Sequence, residues 1–342
     1  MKVLVVTNMY PTDKMPFYGI FVEEQVKSLR DQGVLVEVFF INGRESRLSY
    51  FTSISSLIRT LRSNHYDVIH CHHTYCVYPI SIAKRFSNRR IPTILTFHEG
   101  EVHKTDRLKA KNIDFIKRLV FSKKIKTMAL KMVAYVIAVQ KDLINSLAYR
   151  GEYTVIPCGV DLELFRPMER EWCRKKLNLP LEGKIVFFPA APDNANKGIE
   201  VLGQTIRCLN RKDIHLVTAG HIPHDEIPIY MCAADVIVQL SDYEASPMAL
   251  KEAMAVNVPV VFTDVGDARL TVGKARGCFI CERNPQDVAD KVEKALRCNG
   301  SSEGRRRIIE TGLGLSDIAR EVIRVYHDVT KLKTYKSREV LA

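Results

Sequence analysis

Short runs of β-branched and aliphatic residues alternate along this chain with segments of helical period, and that alternation narrows the fold more than any other feature. Residues 2–7 (Lys-Val-Leu-Val-Val-Thr) read as a buried strand. A loop from Asn8 to Tyr18 with prolines at 11 and 16 follows, then a helical segment over 19–30, a Gly33 stop and a second strand over 34–41. The pattern recurs as strand 68–72 with helix 75–86, strand 92–97, strand 135–139 and strand 154–156. Pro157-Cys158-Gly159-Val160-Asp161 then marks a domain boundary. A second series opens at Lys184–Phe188 and continues with helix 199–209, strands 215–219, 235–240 and 259–263, and a tail helix over 315–331. The expectation is an α/β protein of two Rossmann-like, doubly wound parallel-sheet domains, 1–160 and 161–314, facing across a cleft, with helix 315–331 packing back near the first. At 342 residues the chain is long enough for two cores.

In such sheets ligands bind beyond the carboxyl ends of the strands, which directs attention to Ser241–Ala255. Val236–Leu240 is a strand-like run, and Ser246-Pro247 reads as an N-cap residue with proline at the first helical position. Glu244 then lies in the loop at a strand end, and Glu252 nearly two turns into the helix. Backbone N–H groups and the positive end of the helix dipole lie between the two acids, an arrangement suited to an anion beside a polyhydroxyl group. In the same half, Pro189–Gly198 is a proline-rich loop ending in Lys197-Gly198 before a helix, so Lys197 is placed to neutralise a phosphate or is simply solvated.

The first half offers other candidates. Gly19 at a helix mouth allows close backbone approach to a ligand, or is a plain turn glycine; there is no G-x-G-x-x-G dinucleotide fingerprint. Histidines 70, 72, 73 and 98 end two strands. A metal site is one reading of 70, 72 and 73, although neighbours along a strand point to opposite faces. His98 is a site residue or a structural histidine bonded to a loop carbonyl. The lone C-x-x-C, Cys278 to Cys281, sits inside an apolar strand-like run without a second pair.

Charge is unevenly placed. Residues 1–160 carry eleven of the twelve excess positive charges. Ten Lys or Arg fall in 103–131, interleaved with Ile113, Phe115, Ile116, Leu119, Val120, Phe121, Ile125, Met128 and Leu130. This reads as an amphipathic basic helix for an anionic membrane surface, or as a solvated face over a packed one. Nucleic acid is disfavoured, because the aromatics are too few for a stacking platform and no nucleic-acid motif appears. No apolar run approaches the roughly 20 residues of a membrane span, and nine scattered cysteines suit a reducing cytoplasm.

Taken together, Asn8-Met9-Tyr10-Pro11, Lys197-Gly198 and the frame Ala234-Asp235-x5-Ser241-x2-Glu244-x2-Pro247-x4-Glu252-Ala253-Met254-Ala255 resemble the family-4 retaining glycosyltransferases of GT-B architecture, of the bacterial cell-envelope polysaccharide type. The resemblance covers nearly the whole chain and implies transfer of a hexose from a nucleotide diphosphate sugar to an acceptor hydroxyl on a lipid-linked or cell-envelope glycan. It implies that Glu244 holds donor-sugar hydroxyls, Glu252 the ribose and Lys197 the diphosphate. Gly19, Gly198, Ser246, Pro247 and Met248 would complete the donor site, His98 would lie near the transferred sugar, and Asp267 is a weaker candidate on the nucleobase side. His98, Glu244 and Lys197 are thus the expected catalytic set, with no metal or other cofactor required and a cytoplasmic location peripheral to the inner membrane face. The chain departs from the pattern in two ways: Ala191 and Pro192 stand where an arginine is usual, and Ala245 where glycine is commoner. A nucleotide-sugar epimerase on the same scaffold, or a non-catalytic nucleotide-sugar-binding protein, would share most of these residues.

Overall fold

The computed structural model describes residues 1–98, 122–220 and 222–339, the last eight as backbone. The chain divides into two compact units, Met1–Pro157 with Ser316–Ala342, and Cys158–Leu315.

The first unit is built on β1 (Lys2–Thr7), β2 (Leu35–Phe40), β3 (Val68–His72), β4 (Thr93–Phe97), β5 (Tyr135–Ala138) and β6 (Tyr153–Val155). Its helices are α1 (Ile20–Asp31), α2 (Ser49–Ser63), α3 (Thr74–Ser87), α4 (Lys123–Lys131) and α5 (Lys141–Ser146). All strands pair in parallel, in the order β2-β1-β3-β4-β5-β6. Strands β3 and β4 are buried along their whole length, as continuous apolar runs covered on both faces should be. The order reverses between β1 and β3, which makes the loops after those two strands the topological switch point.

The second unit contains β7 (Lys184–Phe188), β8 (Ile214–Thr218), β9 (Val236–Gln239), β10 (Val260–Thr263) and β11 (Cys278–Cys281). With them come α6 (Arg170–Lys176), α7 (Ile199–Leu209), α8 (Ile227–Ala233), α9 (Met248–Ala255), α10 (Ala268–Val272), α11 (Pro285–Leu296) and α12 (Gly304–Glu310). The parallel order is β11-β10-β9-β7-β8, so here the switch lies between β7 and β9. The loop after β7 ends in Lys197 and the loop after β9 carries Glu244. Helix α13 (Leu315–Glu339) closes the chain and belongs, from Ser316, to the first unit.

Two buried polar clusters anchor these units. In the first, the two ring nitrogens of His70 on β3 share hydrogen bonds of 2.6 Å with the Tyr326 hydroxyl of α13 and with Thr96 Oγ1 of β4. In the second, Asp235 is 2 % exposed and accepts from Arg174 Nη2 at 2.6 Å, Arg170 Nη1 at 3.0 Å and the Ile185 N–H at 2.7 Å. That carboxylate joins α6 and β7 to the start of β9.

The expected basic helix over 103–131 falls mostly outside the described residues. The described part, α4, is capped by Ser122, whose Oγ accepts from the Ile125 N–H. Lys124 and Lys131 are exposed, but Lys126 is 2 % exposed and turns into the protein with Ala129 and Leu130. Among the described residues no helix is long and apolar enough to cross a membrane. None of the nine cysteines forms a disulfide. Burial pushes the Cys278 and Cys281 thiols of β11 up to about 12, so both stay protonated near neutral pH.

Candidate functional site

The second unit assembles its candidate residues on the two loops at its switch point. After β7 the chain turns through Ala195–Lys197 into Gly198, whose φ of +83° is left-handed. A Cβ there would meet the Leu240 carbonyl oxygen at 2.4 Å, so only glycine lets the two loops close up. Backbone bonds lace them together: Leu240 N–H donates to Lys197 O at 3.1 Å and Asp242 N–H to Asn196 O at 2.9 Å. Asn196 Nδ2 donates to Tyr243 O at 3.2 Å. Arg283, beyond β11, straps the same corner, donating to Leu240 O at 2.9 Å, Asp242 Oδ1 at 2.5 Å and Ala195 O at 3.3 Å.

This lacing brings the two expected residues into contact. Lys197 Nζ donates to Glu244 Oε1 at 2.5 Å, and Ser241 Oγ donates to the same oxygen at 3.0 Å. The side chains keep 24 % and 20 % exposure, so the ion pair remains open to solvent and to a ligand. A charged lysine and a carboxylate that already satisfy each other can exchange partners with a ligand carrying both phosphate and hydroxyl groups.

Helix α9 begins at Met248, one residue later than the sequence pattern predicts. Pro247 occupies the N-cap position without a side-chain cap, and Ser246 caps nothing. Its hydroxyl is drawn away instead, donating to Asp267 Oδ2 at 2.9 Å and accepting from Lys251 Nζ at 2.5 Å. Among the described residues, no side-chain cap hydrogen bond reaches the start of α9. Asp267 has its Oδ2 engaged by Ser246 and Lys251, at the cap position of α10. Glu252 is 9 % exposed on α9, with Oε1 3.6 Å from His224 Nε2. The His224 ring packs edge-on against Phe165, 5.4 Å between centroids.

In the first unit, His98 follows β4 directly. His72 Nδ1 and His98 Nε2 share a hydrogen bond of 3.0 Å, with the rings stacked 5.3 Å apart and Phe21 of α1 against His98 at 4.9 Å. Burial, reinforced by the neighbouring His98, pulls His70 down to about 3. Burial with His70 and His98 beside it likewise holds His72 well below the usual imidazole range, so both are neutral at pH 7. His70 and His72 thus share one face of β3 with rings 4.3 Å apart, and His73 lies beyond the strand with φ +87°. Gly19 precedes α1 with φ +83°, and a Cβ there would meet the Met9 carbonyl carbon at 2.3 Å. Close packing against its own loop is sufficient reason for glycine at this position.

Comparison with known proteins bears on what such a pair of units does. Residues 2–164 match the family described as Glycosyltransferase Family 4, and residues 213–313 match Glycosyl transferases group 1. The chain belongs to the family-4 glycosyltransferases. It is similar to the putative teichuronic acid biosynthesis glycosyltransferase TuaC of Bacillus subtilis, with 24% identity over 86% of this chain and 89% of the relative. Among solved structures, sucrose-phosphate synthase from Thermosynechococcus elongatus superposes with a TM-score of 0.77 at 18% identity, covering 97% of this chain and 100% of that one. HepE of Anabaena, solved in complex with UDP-glucose, gives 0.68 at 15% identity over 96% and 100%. At those identities the likeness shows the GT-B fold.

Several residues of the candidate site escape pattern reading. Arg283 and His224 act on the Lys197 corner and Glu252 from positions whose relation only the folded chain reveals, and Ser241, part of the sequence frame, gains a role from its bond to Glu244. Lys251 is the clearest case, a fully buried lysine adjacent to Glu252 in sequence.

Proposed function

We propose that this glycosyltransferase moves a hexose from a nucleotide diphosphate sugar to an acceptor hydroxyl, with retention at the anomeric carbon, and that the acceptor is a lipid-linked or cell-envelope glycan. The observation that carries the donor assignment is the solvent-accessible Lys197–Glu244 pair at the switch point, beside the uncapped start of α9. In this reading the diphosphate takes Lys197 from Glu244, and the released carboxylate accepts from vicinal sugar hydroxyls. Glu252 accepts from the ribose. Gly198, Ser246, Pro247 and Met248 shape the backbone around the phosphates, while Gly19 and His98 serve the first unit's part, His98 toward the transferred sugar.

The transition state resembles an oxocarbenium ion parting from a diphosphate, so stabilising the leaving phosphates lowers the barrier most. A positioned donor at such a site contributes about 3 kcal/mol. Lys197 and the α9 amides would supply these donors, and no step needs a metal ion. The UDP-glucose complex of HepE and the name of the Bacillus relative support donor class and acceptor class respectively.

A thermal-shift panel of UDP, GDP and ADP with their sugars tests the donor assignment. One base series should raise the unfolding midpoint, by mass action worth about 2.7 kcal/mol at a hundred times Kd. Glu252→Gln should remove most of that shift. A native chain indifferent to all three series would refute the assignment.

The same reading sets the protein peripherally on the inner face of the membrane through the basic stretch 103–131. Sedimentation with anionic vesicles that weakens as salt rises is expected. Absent or salt-insensitive sedimentation would remove this part.

A further inference from the structure

We infer that Lys251 is a positioning residue for the donor loop, acting through Ser246 and Asp267; the inference rests on the donor reading above. Lys251 is fully buried on α9, and its ammonium has three protons and three acceptors: Cys158 O at 2.9 Å, Ser246 Oγ at 2.5 Å and Asp267 Oδ2 at 2.9 Å. Ser246 closes the triangle by donating to the same Asp267 oxygen at 2.9 Å. The four groups come from four segments: the helix, the loop after β9, the loop after β10, and the residue at which the chain enters this unit. The loop after β10 lies directly against the donor loop, since a Cβ on Gly266 would meet the Ala245 carbonyl oxygen at 2.5 Å.

Stability alone does not explain this arrangement. A buried ion pair is often matched or bettered in stability by two well-packed apolar side chains of similar volume. What the triangle adds is direction. It holds the Ser246 hydroxyl in one orientation and so fixes the backbone between Glu244 and the first turn of α9, the span assigned to the sugar and the diphosphate. The pair is neutral overall, so Lys251 adds little potential at the phosphates; it does not replace the arginine absent at positions 191 and 192. Asp267 Oδ1 is buried and makes no hydrogen bond among the described residues, which leaves Lys251 and Ser246 as the side chains orienting this carboxylate. Loss of either partner should be felt at the loop.

Lys251→Met alone strands a buried carboxylate and risks unfolding, so the decisive variant is the double replacement Lys251→Met with Asp267→Asn, alongside Ser246→Ala. The probe is whichever of UDP, GDP and ADP stabilises the native chain most. The double variant should melt within a few degrees of the native protein yet bind the probe about tenfold more weakly, the scale of one or two lost hydrogen bonds to charged groups. The donor KM should rise in step and kcat should fall as well, because the α9 amides that the loop positions also meet the leaving phosphates. Ser246→Ala should weaken the probe by about threefold at an unchanged midpoint.

Native affinity in a stable double variant would reduce Lys251 and Asp267 to a structural pair and overturn the inference. Should the double variant not fold, native affinity in Ser246→Ala overturns it equally. If the native chain binds none of the three nucleotides, the donor reading itself fails and the positioning role falls with it. Binding by the native chain with no loss in the variants isolates failure of the positioning role alone.

Discussion

Replacing Glu244 by alanine is expected to lower kcat/KM for the donor, in transfer to acceptor or to water, by about a thousandfold. Two hydrogen bonds from sugar hydroxyls to a carboxylate, at about 2 kcal/mol each, amount to this loss at about 1.4 kcal/mol per decade of rate. Free nucleoside diphosphate should bind nearly as before, because Lys197 loses the partner it holds at 2.5 Å and remains available to phosphate. Glu252→Gln should do the reverse, weakening nucleotide and nucleotide sugar alike. The two substitutions separate a sugar-holding acid from a ribose-holding one. They also separate a transferase from a non-catalytic binder, which has no turnover to lose. Collapse of nucleotide affinity in Glu244→Ala would contradict the division of labour.

Asp235→Ala should be the most destabilising single change in the second unit outside its apolar core. The carboxylate is nearly inaccessible and takes Arg174, Arg170 and the Ile185 N–H, while Arg174 itself is 5 % exposed. Removing one partner of such a buried pair leaves the other charge uncompensated, at about 3–5 kcal/mol. For a domain of this size that corresponds to a fall in midpoint of about 10 °C. Arg174→Met combined with Asp235→Leu should recover much of the loss, since a well-packed apolar pair can match a buried ion pair. A change below about 1 kcal/mol for Asp235→Ala, measured by denaturant unfolding, would mean the cluster contributes little.

Much of the architecture was legible from the chain. Lys184–Phe188 and Ile199–Leu209 fold with the boundaries their apolar patterns imply, because a strand buried on both faces and an amphipathic helix each leave a strong local signal. The start of α9 was not legible. Ser246-Pro247 has the form of a helix opening, yet the serine hydroxyl bonds Asp267 and Lys251, 21 and 5 residues away, in preference to the local backbone. The buried lysine was equally hidden: nothing in the local pattern beside Glu252 marks Lys251, whose partners are Cys158, Ser246 and Asp267. Histidines 70 and 72 left a metal reading open beside the favoured reading without one; in the fold they are buried and tied to Tyr326, Thr96 and His98. In each case the missing information is a long-range contact. Residue type and local periodicity do not encode it.

The central claim is that Glu244 reads the sugar and not the nucleotide, and the most direct measurement is paired calorimetry. The nucleoside diphosphate selected by the thermal panel and its sugar-bearing form are each titrated into the native protein and into Glu244→Ala. Expected is a sugar-dependent difference in heat and affinity in the native protein that disappears in the variant, with the diphosphate alone bound almost equally by both. Equal loss of both ligands in the variant, or an undiminished sugar-dependent difference, would contradict the assignment.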